Sequence, residues 1–189
     1  MKNNIMKYIQ SFDDKNYLSS IIECISAPTI MGIKPATLIN FSKNKRELNL
    51  IWSYYKHFFA VNSDLNFFEL RCTKENSIVL FYNYDLLEKV ICKKENKILQ
   101  ELGYKSNKSL EVYLENLSHR YYEGCPHEIG LFLGFPYDDV HGFIENKGKN
   151  YLYSGYWKVY YNLKIALNTF DKYDLSKKII ENNILKKCR

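Results

Sequence analysis

Apolar side chains recur along the chain with two distinct periods. Ile5, Tyr8, Ile9, Phe12, Leu18, Ile21, Ile22 and Ile25 keep helical spacing over residues 5–25, with a break near Asp13-Asp14. Residues 46–61 carry a second stripe through Leu50, Ile51, Tyr54, Tyr55, Phe58 and Phe59. Residues 85–102 predict a further amphipathic helix, with Gly103 as its stop signal. Leu110, Tyr113, Leu114 and Leu117 predict another over 109–122, and residues 163 to about 185 read as a closing helix. Strand character appears at 36–42, 66–73 and 77–83. Lys74-Glu75-Asn76 is short enough to join the last two as a β-hairpin. Residues 156–161 alternate as a strand does, whereas Ala27-Pro28-Thr29 and Gly32-Ile33-Lys34-Pro35 predict an irregular loop. The pattern predicts an α+β fold: a small antiparallel sheet of three to four strands packed with several helices, in a single domain over residues 1–189.

Composition narrows this picture. A chain of 189 residues fits one domain. A chain of that size buries about 70% of its unfolded surface, so it folds without disulfides or metal. No apolar run approaches the roughly 20 residues of a membrane helix. The N-terminal residues lack an apolar leader core and carry acids early, so the expected location is cytoplasmic and away from membranes. The cysteines are Cys24, Cys72, Cys92, Cys125 and Cys188, an odd number without a CxxC pair, which predicts reduced thiols. The net charge of +6 is scattered among acids. Only Lys177-Lys178 and Lys186-Lys187-Cys188-Arg189 form a patch, and cations at a helix C-terminus favour the helix dipole, so the charge argues against a nucleic-acid partner.

Chemistry concentrates in one stretch. Six of the eight glycines fall between Gly124 and Gly155, with two of the four prolines. Pro126 fits the first position of a helix, which would put Cys125 near the N-cap and His127 and Glu128 in the first turn. Free N–H groups there could hold an anion, and a cysteine so placed can be reactive. The plainer alternative is a cap with Glu128 facing water. His127 and Glu128 are the catalytic candidates, although neighbours on a helix point about 100° apart and form no dyad unaided. His127 and His141 are the candidate metal ligands. With Asp138 or Asp139 they would suit iron or zinc, but their spacing matches no standard metal motif.

Gly130 and Gly134 lie four apart and would share a helix face open to another backbone or a flat ligand. Pro136 with Asp138-Asp139 marks a second helix start, with Val140, Phe143 and Ile144 as its apolar face. Asn146 opens a polar turn through Gly148. On a strand, Tyr156, Lys158 and Tyr160 face opposite to Trp157, Val159 and Tyr161. Lys158 between two tyrosines could clamp an anionic or aromatic ligand, and Trp157 serves either as a core anchor or as a ligand wall. Lys34 and Arg71 are further cationic candidates. The ligand-binding set is therefore Cys125, Gly130, Gly134, Asp139, Asn146, Tyr156, Trp157, Lys158 and Lys34. The P-loop, GxGxxG, GxSxG, HExxH and RNA-recognition signatures are absent.

Three blocks carry a resemblance. Residues 126–136 read Pro-His-Glu-Ile-Gly-Leu-Phe-Leu-Gly-Phe-Pro, 139–144 read Asp-Val-His-Gly-Phe-Ile, and 155–160 read Gly-Tyr-Trp-Lys-Val-Tyr. Together they resemble the family of anaerobic bacteria catalogued as domain of unknown function 3793, and residues 27–35 resemble its N-terminal block. The likeness spans nearly the whole chain. It departs from the family pattern at Cys125, a position often not cysteine there. The resemblance implies no established activity. Family members often lie beside flavodoxin and iron-uptake genes, which implies haem, iron or flavin as cofactor and a flavodoxin as partner.

Three functions are thus expected. The first is a cytosolic protein binding a small ligand or cofactor at 124–160, with or without catalysis. The second is an iron- or haem-linked redox accessory working with a flavodoxin. The third is a non-enzymatic interaction module.

Overall fold

The computed structural model describes residues 2–43, 46–92, 96–106 and 108–187. Two helices open the chain, α1 (Lys2–Ile9) and α2 (Asp14–Ile25). The break between them has a local cause: the Asp13 carboxylate accepts from the Asn16 N–H and caps α2. The expected loop over 27–35 contains a short helix, α3 (Ala27–Ile30), entered through Pro28, and the chain then turns at Gly32 with φ +68°. Thr29 and Thr37 share a buried hydroxyl hydrogen bond of 2.7 Å that ties α3 to the next strand.

The central sheet comprises β1 (Ala36–Ser42), β2 (Asn66–Cys72) and β3 (Asn76–Tyr82), with α4 (Leu48–Asn62) between the first two. Its order is β1-β3-β2, antiparallel throughout. The β2–β3 hairpin is the one the sequence predicts. Alternation on β3 serves two cores. Ile78, Leu80 and Tyr82 enter one core, and Val79 and Phe81 enter the other with Phe41 and Trp52. A bulge between Glu69 and Arg71 shifts the β2 register. Trp52 donates to Glu69 at 2.9 Å, and Lys56 pairs with the same carboxylate at 2.7 Å.

The amphipathic stretch at 85–102 is two helices, α5 (Tyr84–Ile91) and α6 (Lys97–Glu101). Asn83 and Asn96 each cap a fresh start, accepting from the N–H three residues on, so α6 begins anew instead of continuing α5. Then follow α7 (Leu110–Tyr121), α8 (Ile129–Phe132) and α9 (Tyr137–Glu145), a two-strand ladder of β4 (Tyr153–Ser154) and β5 (Lys158–Val159), and α10 (Leu163–Lys187). The strand expected over 156–161 is only two residues long. Its failure to extend is chemical: the N–H groups of Tyr160 and Tyr161 donate to the Asp139 side chain, not to a neighbouring strand.

A third apolar cluster of Trp157, Val159, Ala166, Phe170 and Tyr173 lies where β5 meets α10. Phe135 packs against both this cluster and the first core. The architecture is α+β. No helix among the described residues is long and apolar enough to cross a membrane. Cys24, Cys72, Cys92 and Cys125 are free thiols. Cys188 and Arg189, part of the basic tail, lie outside the described residues.

Candidate functional site

The glycine-rich stretch folds around a hollow. Residues 125–130, α9 and the β4–β5 ladder enclose a cavity of about 320 Å³. Its walls are Pro126, Ile129, Phe135, Val140, Phe143 and Trp157, and its polar positions are Cys125, His127, Asp139, Ser154 and Lys158. Phe135 stacks on Trp157 with centroids 5.1 Å apart, which makes a continuous aromatic wall.

Asp139 holds that wall in place. It is buried at 4% exposure, and both its oxygens are engaged. Oδ2 accepts from Trp157 Nε1 at 2.7 Å, while Oδ1 accepts from the Tyr160 and Tyr161 N–H groups at 2.8 and 2.9 Å. Three donors satisfy one buried carboxylate, as a buried charge requires.

The helix expected at Pro126 begins later, at Ile129. Residues 126–128 form a turn in which the Ile129 N–H reaches the Pro126 carbonyl at 3.2 Å. Cys125 is therefore not an N-cap. Its thiol lies 3.3 Å from the Tyr121 hydroxyl and is exposed at the cavity edge. Glu128 does not face water either; it is 1% exposed. It is ion-paired with Arg120 and accepts from the Tyr104 hydroxyl at 3.2 Å. Burial and the adjacent Glu128 carboxylate push the Tyr104 phenol well above its ordinary range. Glu128 lies outside the cavity and anchors the turn that presents His127 to it.

His127 is exposed and meets Phe143 edge-on at 5.2 Å. His141 stacks on Tyr137 and lies 3.3 Å from Glu145. Among the described residues, no group of three or more His, Cys, Asp or Glu is arranged to hold a metal ion.

Gly130 and Gly134 do not share a helix face, because α8 ends at Phe132. Gly130 lets α8 meet α9, since a Cβ there would lie 2.8 Å from Val140 Cγ2. Gly134 turns at φ +75° against the Pro35 ring, a conformation and a space that only glycine fits. Asn146 caps the end of α9 by donating to the Gly142 carbonyl at 2.9 Å. Tyr156 points away from the cavity and donates to Asp174 at 2.5 Å, and burial together with that carboxylate raises its phenol. The cavity thus brings together Cys125, Gly130, Asp139, Trp157, Lys158 and His127 from the predicted set. The sequence reading singled out no site role for Ile129, Phe135, Phe143 or Ser154, which also line the cavity, or for Arg120, which holds Glu128.

Lys34 is half-buried beyond Phe135. Its ammonium lies 5.5 Å from the Phe135 centroid and 5.8 Å from that of Tyr173, and no ion pair is recorded for it among the described residues. Burial, reinforced by the Lys177 charge, lowers its pKa to about 8. The unfolded chain therefore holds this proton more tightly than the folded one. Stability rises as pH climbs from about 8 toward the ordinary lysine value of 10.5, and the cost of the buried charge is fully present below that window. Lys34→Met is expected to melt about 3–5 °C above the wild type at pH 7. That gain should shrink by pH 10. A gain of the same size at both pH values would count against this account.

A family model described as "Protein of unknown function (DUF3793)" matches residues 21–189. No curated protein and no solved structure matches the chain.

Proposed function

We propose a function on the premise that the chain belongs to the DUF3793 family, whose description states no activity: it binds a small, largely apolar molecule in the cavity between Pro126 and Lys158. One observation carries this reading. The hollow of about 320 Å³ is lined mainly by aromatic and branched side chains, and it stays open because its walls are fixed from behind. Trp157 is held by Asp139, Phe135 by its stack on Trp157, and the Pro126 turn by Glu128 and Arg120. Ligand sites are concave, mostly apolar, largely preformed and about 300–1,000 Å³ in volume, with a few placed polar groups.

A titration with the neutral dye N-phenyl-1-naphthylamine tests the reading. Saturable one-to-one fluorescence enhancement is expected. Ser154→Trp, at an exposed position on the cavity edge, should weaken it at least about tenfold by occupying the hollow, a loss of about 1.4 kcal/mol. Val61→Trp, far out on α4 and 83% exposed, should leave it unchanged. Enhancement that never saturates, or that ignores Ser154→Trp, would sink the proposal.

A further inference from the structure

We infer that the natural occupant of the cavity carries a single negative charge, as a carboxylate on an aromatic or branched apolar body, and that Lys158 is the residue that recognises it. The inference rests on the cavity being a binding site and adds the chemistry of what it takes.

The argument begins with the charges that line the hollow. Its lining residues include one carboxylate, that of Asp139, and this group is already engaged by three N–H donors. Those three bonds leave at most one acceptor site on it for a ligand. Lys158 is in the opposite condition. An ammonium has three N–H donors. Here one goes to the Gly148 carbonyl at 2.6 Å. The rest of the head group faces rings, with the Tyr151 centroid at 4.8 Å and that of Phe143 at 5.6 Å. No ion pair to Lys158 occurs among the described residues.

A cation held beside an apolar hollow, with donor capacity left over, is electrostatically incomplete. An anion within the hollow would give it a charge-assisted hydrogen bond, stronger than one to a neutral acceptor. The placement of Lys158 is built into the backbone. Gly148 turns at φ +70°, and a Cβ there would lie 3.1 Å from Phe143 Cε2 and 3.4 Å from the Lys158 ammonium. That glycine lets the ammonium approach the turn closely enough to donate to the Gly148 carbonyl, and Phe143, one of the rings beside it, also lines the cavity.

The other polar groups fit the same ligand. His127 and Ser154 also line the hollow, and neither is a carboxylate. One ammonium suits a carboxylate better than a phosphate dianion, which is ordinarily met by several cations or a helix N-terminus. The aromatic wall of Phe135 and Trp157 favours a flat body by stacking.

Two probes of equal shape separate charge from cavity. Wild-type protein should bind 2-naphthoate at least about tenfold more tightly than neutral 2-naphthalenemethanol in calorimetric titration. Lys158→Met should erase that preference by weakening the naphthoate alone, and Lys158→Arg should retain most of it. Raising the salt concentration on the unaltered protein should weaken the naphthoate and leave the alcohol unchanged, which tests the inference even if Lys158→Met folds poorly. Equal binding of both probes, insensitive to salt and to Lys158→Met, overturns the anion assignment while the cavity reading stands. Binding of neither probe overturns both.

Discussion

Replacing Asp139 with alanine is expected to destabilise the protein by about 3–5 kcal/mol and to abolish ligand binding in the cavity. The size follows from what the carboxylate holds. The Trp157 indole N–H is buried with its ring and would be left without an acceptor. A buried donor stripped of its partner costs about 1–3 kcal/mol. The Tyr160 and Tyr161 N–H groups lie nearer the surface, so water recovers part of their loss. Asp139→Asn should fall between. Its carbonyl oxygen can keep the two backbone donors, but its amide then presents N–H to the indole N–H. Urea unfolding followed by fluorescence measures both. The two variants should differ from each other by about 1–2 kcal/mol. If both stay within about 0.5 kcal/mol of the wild type, a surface-like result, Asp139 is not the anchor described here.

The second large effect concerns Glu128 and Arg120. Arg120→Met leaves a carboxylate of 1% exposure with the Tyr104 hydroxyl as its remaining partner among the described residues. Breaking a buried pair from one side costs about 3–5 kcal/mol. The Arg120 side chain is 36% exposed, so water reaching the vacated space should bring the loss toward the lower end. The double variant Arg120→Met/Glu128→Leu should be more stable than Arg120→Met alone, because it removes the uncompensated charge as well as its partner. A urea midpoint series over the two single variants and the double decides it. Strictly additive losses would refute the coupling. The pair also bears on the site, since Glu128 adjoins both His127 and Ile129 on the cavity wall. Loosening that turn should weaken dye binding along with stability.

Much of the fold could be read in the sequence because periodicity records burial. The stripe through Leu110, Tyr113, Leu114 and Leu117 is α7, and those four residues are all in the first core. The hairpin of β2 and β3 follows from two strand-like runs with a three-residue connection. The misreadings have specific causes. Pro126 followed by an acidic residue is a good helix start, yet the signal is local and does not reveal that Arg120 waits to bury Glu128. The helix then opens three residues later. The run at 85–102 has one amphipathic period, but Asn96 competes for the backbone and starts a new helix. Of the run 156–161, Trp157 and Val159 point into the third cluster, but Tyr156, of opposite parity, packs against it as well. The strand ends because a carboxylate 21 residues earlier in sequence takes the Tyr160 N–H.

For the candidate site, clustering of Gly, Pro, His and aromatic residues marks the stretch that lines the cavity, because close backbone approach and ring packing leave traces in composition. Composition could not say which side chains face inward. Tyr156 and Lys158 have the same parity on a strand, yet only Lys158 lines the cavity. His127 and His141 are each engaged with a different ring, Phe143 and Tyr137, and no metal-holding group of three forms around them among the described residues.

The division of the interior into three clusters has a consequence for how the molecule opens. β3 is covered on both faces, so its amides should exchange with solvent only when the whole chain unfolds. The 153–161 segment is held by a two-residue ladder, the Asp139 contacts and the Tyr156–Asp174 bond, and it supplies Trp157 and Val159 to the third cluster. It is expected to open as a smaller unit while the sheet stays intact, so its amides should exchange faster than those of β3. A ligand of the proposed kind would exchange on the timescale of that local opening, so that weakening the Asp139 clasp should shorten its residence time.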